Sequence, residues 1–535
     1  MEQKKWVLVS VFDKSNLIPF VEKLIELGYS ILASGGTRKA IEAAGLEVTD
    51  VAEWTKQEPI LKHRVVTLHP RIHAGLLADC NDPEQVVEMI ELGWDLIHIV
   101  RLDFYPLEKA IADGEPYETI INMIDIGGPT MASSASKGGR FVVIDPKDEQ
   151  LLVDYLENGD SDCESPVRGL CAKADFLVSC YRMKSAAYRS NDRYGGLFWE
   201  KREDLPLCYG ENKYQQAELV QIGTGDPLGQ IYHQQICGNP PSTINRKDMK
   251  HGVNILRHAY QIMSPHAPGI KIALGLKHGN PAGAAFGHDP FGVIRGMAQG
   301  DELALFGGVV ITNFPITEDI AVAMRQKRDG SRQNFDLVLA PEISPEAADV
   351  LDRVTGKCRM FINPALAGKL ARSTVRELDV LDETCAIRQD PFKPIEDITK
   401  DEYLMSGAPL DHEQLLNLLF AGAICHGSTS NTMTLVTARQ LTGNGVGQQA
   451  RVYASDLAVE RAITADNGIT PETVAWSDSF FPNEDGLEKL IALGVRTVFS
   501  TSGSRADQAV IDLAKQYNIT LIMGPDELFR GFCRH

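Results

Sequence analysis

Residues 5–37 read KWVLVSVFDKSNLIPFVEKLIELGYSILASGGT, and their pattern decides the fold class. KWVLVSV is an apolar run of buried-strand length. KSNLIPFVEKLIELG then sets Leu17, Phe20, Val21, Leu24 and Ile25 on one helical face, and Gly28 ends that helix. YSILA reads as a second strand, SGGT as a tight loop and RKAIEAAG as a second helix. Further on, DLIHIVRL and RFVVIDP continue the series. Strands alternating with helices predict an α/β fold with a parallel sheet covered on both faces.

The polar, aperiodic stretch SNDRYGGLFWEKREDLP marks a domain boundary near residues 190–205. Beyond it, IKIALGL, GGVVITN, FDLVLAP and CRMFIN are predicted strands, and SPEAADVLDRV a helix. HEQLLNLLFAGAI opens a third region. The last stretch, from DGLEKLIALG through ITLIMG, reads helix, strand, helix, strand. Three regions are therefore expected, 1–198, 199–370 and 371–535, with no short-period repeat.

Bulk properties narrow the function. The 535 residues carry a net charge of −19, which opposes nucleic-acid binding by bulk electrostatics, so any phosphate must be held locally. The opening MEQKKWVLVSVFDK reads as a charged lead into a strand rather than a signal peptide, and no apolar window is long enough for a bilayer. Ten cysteines without a CxxC pair fit a reduced cytoplasm. His69 and His73 have the i,i+4 spacing of metal ligands, but Pro70 argues against a helix there and no acid or thiol accompanies them. No metal is expected.

Several stretches could carry chemistry. Ser34, Gly35, Gly36 and Thr37 lie between a strand and a helix, where free N–H groups attract an anion; the same residues also read as a plain β–α connection. Arg64 and Thr67, in HRVVTLHP, reach the same sheet, with a surface arginine as the alternative. Asp125 precedes a small-residue helix with Lys137 near its end, a cation that also suits the helix dipole. In GLKHGNPAGAAFG (275–287), Lys277 and His278 close a strand, Asn280-Pro281 makes a turn and Ala282 to Ala285 are expected to start a helix. A histidine there can take a proton, and an adjacent ammonium can stabilise an oxyanion. A polar strand end is the other reading. Asn431, Arg451 and the SDSFFP stretch add an amide, a cation and aromatics beside acids.

The order of these motifs is more specific than any one of them. SVFDK, SGGT, RVVTLHP, IDIGGP, YGEN, LKHGNPAG, FGG, GQQAR and SDSFFP follow the order of the bifunctional purine-biosynthesis family that joins aminoimidazole carboxamide ribonucleotide (AICAR) formyltransferase to inosine monophosphate (IMP) cyclohydrolase. The chain resembles that family over nearly its whole length. The resemblance implies a methylglyoxal-synthase-like domain followed by two cytidine-deaminase-like subdomains without zinc. It also implies a homodimer with transferase sites at the interface, and 10-formyltetrahydrofolate as cosubstrate. AICAR, formyl-AICAR and IMP would be the ligands, with no nucleic-acid or membrane partner.

Residue by residue, the resemblance makes His278 the base, Lys277 the neighbouring cation and Asn431 the orienting amide of formyl transfer. It places Tyr209, Gly307, Asp336, Arg451, Phe480 and Arg530 around AICAR, and Val452, Asp485, Ser504 and Arg505 on the folate side. Lys14, Ser34, Gly35, Gly36, Thr37, Arg64, Thr67, Asp125 and Ile126 match the IMP site, and Lys137 and Tyr105 match the ring-closure groups. The chain departs from the family pattern at Phe12, Val66, Asp103 and Gly138-Gly139 in the first domain. It departs again at Cys208 and Lys213-Tyr214 in the transferase region. The first set removes a cation and adds a carboxylate, which weakens a site for an anionic nucleotide. Lys213 could replace the charge lost at Cys208, though not an arginine fork. The residues leave three other readings open: a transferase without cyclohydrolase, a non-catalytic nucleotide-binding regulator, and a phosphate lyase.

Overall fold

The computed structural model describes residues 4–61, 64–158, 165–210, 213–223, 225–353, 356–371, 377–381, 385–389 and 394–531. The chain falls into two compact units, Met1–Phe198 and Trp199–His535.

The first unit holds five strands: β1 (Lys5–Ser10), β2 (Tyr29–Ala33), β3 (Thr49–Asp50), β4 (Ile97–Leu102) and β5 (Phe141–Val143). All pair in parallel, in the order β3-β2-β1-β4-β5. Alternate residues of β1 feed two cores: Trp6 and Leu8 face one, Val7 and Val9 the other. Helix Leu17–Glu26 buries Leu17, Phe20, Val21 and Leu24, as its spacing predicts. Gly28 leaves it at a φ of +85°, open to glycine at no steric cost. The strand order reverses between β1 and β4, which opens a crevice at their C-terminal ends.

Two local expectations change here. Ser34 immediately precedes a helix, Gly35–Ala43, so Gly35, Gly36 and Thr37 are its first turn and not a loop. Pro70 does not break a helix; it starts one, Pro70–Leu77, at the position where its missing N–H costs nothing. His69 caps that helix by accepting from the Arg71 N–H.

The second unit is built on one twelve-stranded sheet made of two halves with the same connectivity. Each half runs strand, helix, hairpin, helix, strand, helix, strand, helix, strand. The first half supplies strands Gln234–Cys237, Lys271–Lys277, Asn280–Gly287, Gly308–Thr312, Phe335–Ala340 and Arg359–Ile362. The second supplies Leu404–Ser406, Met433–Thr437, Gln440–Gly445, Val474–Ser477, Thr497–Ser502 and Thr520–Pro525. The two hairpins join through Ala285 opposite Gln440.

The stretch expected to start a helix after Asn280 is a strand. Asn280 pairs with Lys277 and Gly287 with Lys271, so the chain folds straight back on itself. His278 and Gly279 both take positive φ, +50° and +75°, as a two-residue type I′ hairpin requires. The small residues serve packing: a Cβ on Gly283 would stand 2.2 Å from the Met297 carbonyl oxygen of the covering helix. Among the described residues no helix is long and apolar enough to cross a membrane.

Candidate functional site

In the first unit, the crevice at the ends of β1 and β4 gathers most of the residues matched to IMP. The Thr37 hydroxyl donates to the Val11 carbonyl at 3.0 Å and accepts from the Val11 N–H at 3.2 Å, so it is spent on holding the loop after β1. Lys14 extends to Gly36, where a Cβ would lie 3.7 Å from the ammonium. That ammonium donates to the Phe12 carbonyl at 2.9 Å. Ser34 makes no side-chain cap, which leaves the first N–H groups of Gly35–Ala43 for a ligand.

Asp125 closes the crevice from the side. Its carboxylate accepts from the Gly128 N–H at 3.0 Å, and its own N–H donates to the Tyr181 hydroxyl at 2.8 Å. Burial pushes its carboxyl above the usual range against the N–H groups of Gly128 and Gly127 and the charge of Arg182, with a smaller push from Asp103. Burial, then the Asp125 charge, also raises the phenol of Tyr105. Thr67 is buried beside Gly127, its hydroxyl oxygen 3.0 Å from where a Cβ would stand. Ile126 is exposed. Arg64 lies on the surface and donates to Asn122 at 2.6 Å.

Lys137 is not brought to this cluster by the backbone. It is the last residue of helix Gly127–Lys137, which begins just after Asp125. At 1.5 Å per residue the two ends stand about 15 Å apart. The departures have structural consequences. Asp103 accepts from the backbone N–H of Phe12 and, at 3.0 Å, from that of Asp13. Phe12 and Tyr105 lie edge to face at 5.9 Å, 50% and 44% exposed. Val66 packs on the core. A Cβ on Gly138 would stand 1.9 Å from the Leu76 carbonyl oxygen, so the segment leaves no room for a side chain there.

In the second unit, the residues matched to formyl transfer line one edge of the sheet. The first half's parallel strands begin at this edge and the second half's end at it. The type I′ turn puts His278 at the hairpin tip, exposed. The Lys277 ammonium donates to the carbonyls of Phe306 at 3.0 Å and Gly307 at 2.9 Å. Gly307 needs its φ of +68°, and a Cβ there would lie 3.1 Å from the Lys277 nitrogen and 3.4 Å from Asp336. Asp336 is paired with Arg353 at 2.7 Å. Lys277, His278, Asn280, Phe306 and Arg461 line a cavity of about 410 Å³.

Asn280 ties this hairpin to the next cluster, accepting from the Thr429 N–H at 2.9 Å. Two residues on, the Asn431 amide donates to the Gln448 carbonyl at 2.8 Å and accepts from Arg451 at 2.7 Å. Arg451 pairs with Asp478, both buried. Asp478 also accepts from the Ser430 hydroxyl at 2.8 Å and the Thr432 N–H at 2.9 Å. Farther along, the Arg530 guanidinium lies 5.2 Å from the Phe480 ring centre and bonds Asp526 at 2.7 Å. Val452 and Asp485 stand in the first turns of helices Arg451–Thr464 and Asp485–Ala492. The Ser504 N–H is held by Asp507 at 3.1 Å, and Arg505 follows it. The Tyr209 carbonyl accepts from the Thr243 N–H at 3.1 Å. Cys208 is exposed, and Lys213 lies over the Tyr214 ring at 5.0 Å. Glu211 and Asn212 of the YGEN motif lie outside the described residues.

Sequence reasoning passed over Asn280 and Asp478. Both stand in motifs quoted for other residues, and the signal for each was an amide or acid at a strand end, where backbone groups need partners.

Residues 16–130 match the family described as MGS-like domain. Residues 139–461 match the family described as AICARFT/IMPCHase bienzyme. A bifunctional purine biosynthesis protein PurH of Staphylococcus carnosus is 29% identical over 97% of this chain and 98% of its own. That of Bacillus mycoides is 30% identical over 97% and 98%. That of Mycobacterium ulcerans is 31% identical over 96% of each chain. The chain belongs to the AICARFT/IMPCHase bienzyme family.

Proposed function

We propose that the chain transfers a formyl group from 10-formyltetrahydrofolate to the 5-amino group of AICAR and closes formyl-AICAR to IMP. The observation that carries the transferase half is the rigid hairpin tip, with Lys277 and His278 lining one cavity. The amino nitrogen attacks the formyl carbon and gives its proton to the His278 imidazole. The C–N bond to AICAR forms, the bond from the formyl carbon to folate N10 breaks, and N10 leaves with a proton. Two of the three Lys277 N–H donors are spent on the Phe306 and Gly307 carbonyls, which leaves the third for the developing oxyanion. Asn431, held from both sides by Gln448 and Arg451, orients the reacting centre. Phe480 with Arg530 would stack on and neutralise the nucleotide. No step needs a metal ion.

The strand bearing Lys277 and the strand leading to Phe480 are four spacings apart in the sheet. That is about 19 Å, farther than one mononucleotide reaches. That separation supports a site completed by a second copy of the chain, as a homodimer. In the first unit, the free helix start, Lys14 and Asp125 suit the nucleotide, and loss of water accompanies ring closure.

The test supplies AICAR and 10-formyltetrahydrofolate and follows tetrahydrofolate, formyl-AICAR and IMP separately. Release of tetrahydrofolate with IMP formed faster than without enzyme is expected. Absence of tetrahydrofolate release sinks the transferase. Formyl-AICAR accumulating without accelerated IMP gives the second reading, a transferase alone, which the Asp103 and Gly138 geometry motivates; Lys277, His278 and Asn431 argue against a non-catalytic regulator, because pure binding needs no proton acceptor.

A further inference from the structure

Asp103 stands at the end of β4, across the crevice from the loop that follows β1. It accepts two successive backbone N–H groups of that loop, from Phe12 and Asp13. Paired N–H groups in a turn are what a ligand's anionic oxygens seek. The loop lies against the free helix start: residue 11 is bonded through both backbone groups to Thr37, and Lys14 reaches Gly36. Here a carboxylate of the chain itself already sits where a ligand anion would be received.

We infer that Asp103 is the specificity-determining residue of the first unit's site, an internal anion that competes with the phosphate of a nucleoside monophosphate. The inference rests on the reading of this crevice as a nucleotide site. Asp103 acts in two ways. It occupies the N–H pair, so a ligand's phosphate must displace it or manage without that pair. It also adds a like charge to a crevice that already holds Asp125, where Lys14 on the loop and Arg182 near Asp125 are the cations. Both effects tax the phosphate and spare the base and sugar. The exposed Phe12–Tyr105 pair beside it gives a planar base an aromatic face that needs no charge.

The test is calorimetric titration of the full chain and its Asp103→Asn variant with IMP and with inosine, which lacks the phosphate. An asparagine keeps one acceptor for the loop and removes the charge. IMP is expected to bind the variant about tenfold tighter, with inosine unchanged, because only one of the two ligands meets the lost charge. Equal or weaker IMP binding by the variant overturns the inference, as does equal tightening of both ligands. If neither chain binds IMP, the nucleotide reading of the crevice falls and takes the inference with it. Near-UV circular dichroism checks the fold, and Asp103→Ser serves if the asparagine chain does not fold.

Discussion

The two halves of the twelve-stranded sheet are the same scaffold used for different ends. In each, the hairpin turns through two residues of positive φ, His278-Gly279 in the first and Ala438-Arg439 in the second. Leu276 opposite Val309 and Val436 opposite Val474 set the correspondence. Lys277 therefore matches Thr437, and His278 matches Ala438. Where the Lys277 ammonium grips two carbonyls, the Thr437 hydroxyl shares a hydrogen bond with Thr473 at 2.7 Å. The same register aligns Asn313 with Asp478. Asn313 closes the start of its neighbouring strand, accepting from the Ile272 N–H at 2.7 Å and donating to the Ile270 carbonyl at 2.9 Å. Asp478 does the same for Thr432 but brings a charge, answered by Arg451, which in turn holds Asn431. Backbone geometry is thus common to both halves, and the residues proposed to carry the chemistry stand at a different point in each.

The largest break in this comparison is His278→Ala, which makes the first turn resemble the second. Formyl transfer should fall by roughly 10²–10⁴-fold, the usual worth of a general base. Nucleotide binding should persist, because the imidazole is not needed to hold a phosphate. Single-turnover transfer measured alongside AICAR affinity checks both. Full activity in the variant would remove His278 from the mechanism.

Asp478→Asn sharpens the second difference by giving that position the residue its counterpart already has. In the first half an asparagine suffices, since no guanidinium faces it. In the second, neutralising Asp478 leaves Arg451 buried without a counter-charge, which costs about 3–5 kcal/mol. Denaturant unfolding should register that loss. Transfer should fall too, as Arg451 no longer has reason to hold Asn431. The double variant Arg451→Met, Asp478→Asn should recover part of the stability and none of the rate.

What the sequence made legible follows from burial. Strands such as Gly308–Thr312 and Phe335–Ala340 are mostly apolar, and the helix faces repeat at helical spacing, so both could be read directly. The stretch 280–287 could not. Its alanines and glycines carry helical or neutral propensity, and only pairing with Lys271–Lys277 makes it a strand. The duplication was equally hidden, because it lives in register and connectivity while the residues at the chemical positions have diverged. Lys277 and His278 were visible as a motif. Asp478 was not, because its role depends on Arg451, Ser430 and Thr432 arriving from other elements.

The smallest effect tests what the halves still share. Both hairpins bulge at the same place, Ala282 in one and Thr442 in the other. Each bulge precedes a glycine pressed against the next helix. A Cβ on Gly283 would stand 2.2 Å from the Met297 carbonyl oxygen, and one on Gly443 would stand 2.1 Å from that of Ala458. Alanine at either position gains about 0.4–1 kcal/mol by restricting the unfolded chain. Against that, the helix must move off the sheet, an overpacking cost of about 1–3 kcal/mol. Gly283→Ala and Gly443→Ala should therefore each lower stability by a similar net amount, read as matched falls in denaturant midpoint. Their effects on transfer should differ. Gly283 lies on the strand that follows His278, so its displacement tilts the hairpin tip, whereas the matching tip beyond Gly443 carries Ala438 and no base. Equal loss of stability with unequal loss of rate is the signature of one scaffold bearing its chemistry on one side, and equal loss of both would mean the second tip also serves the reaction.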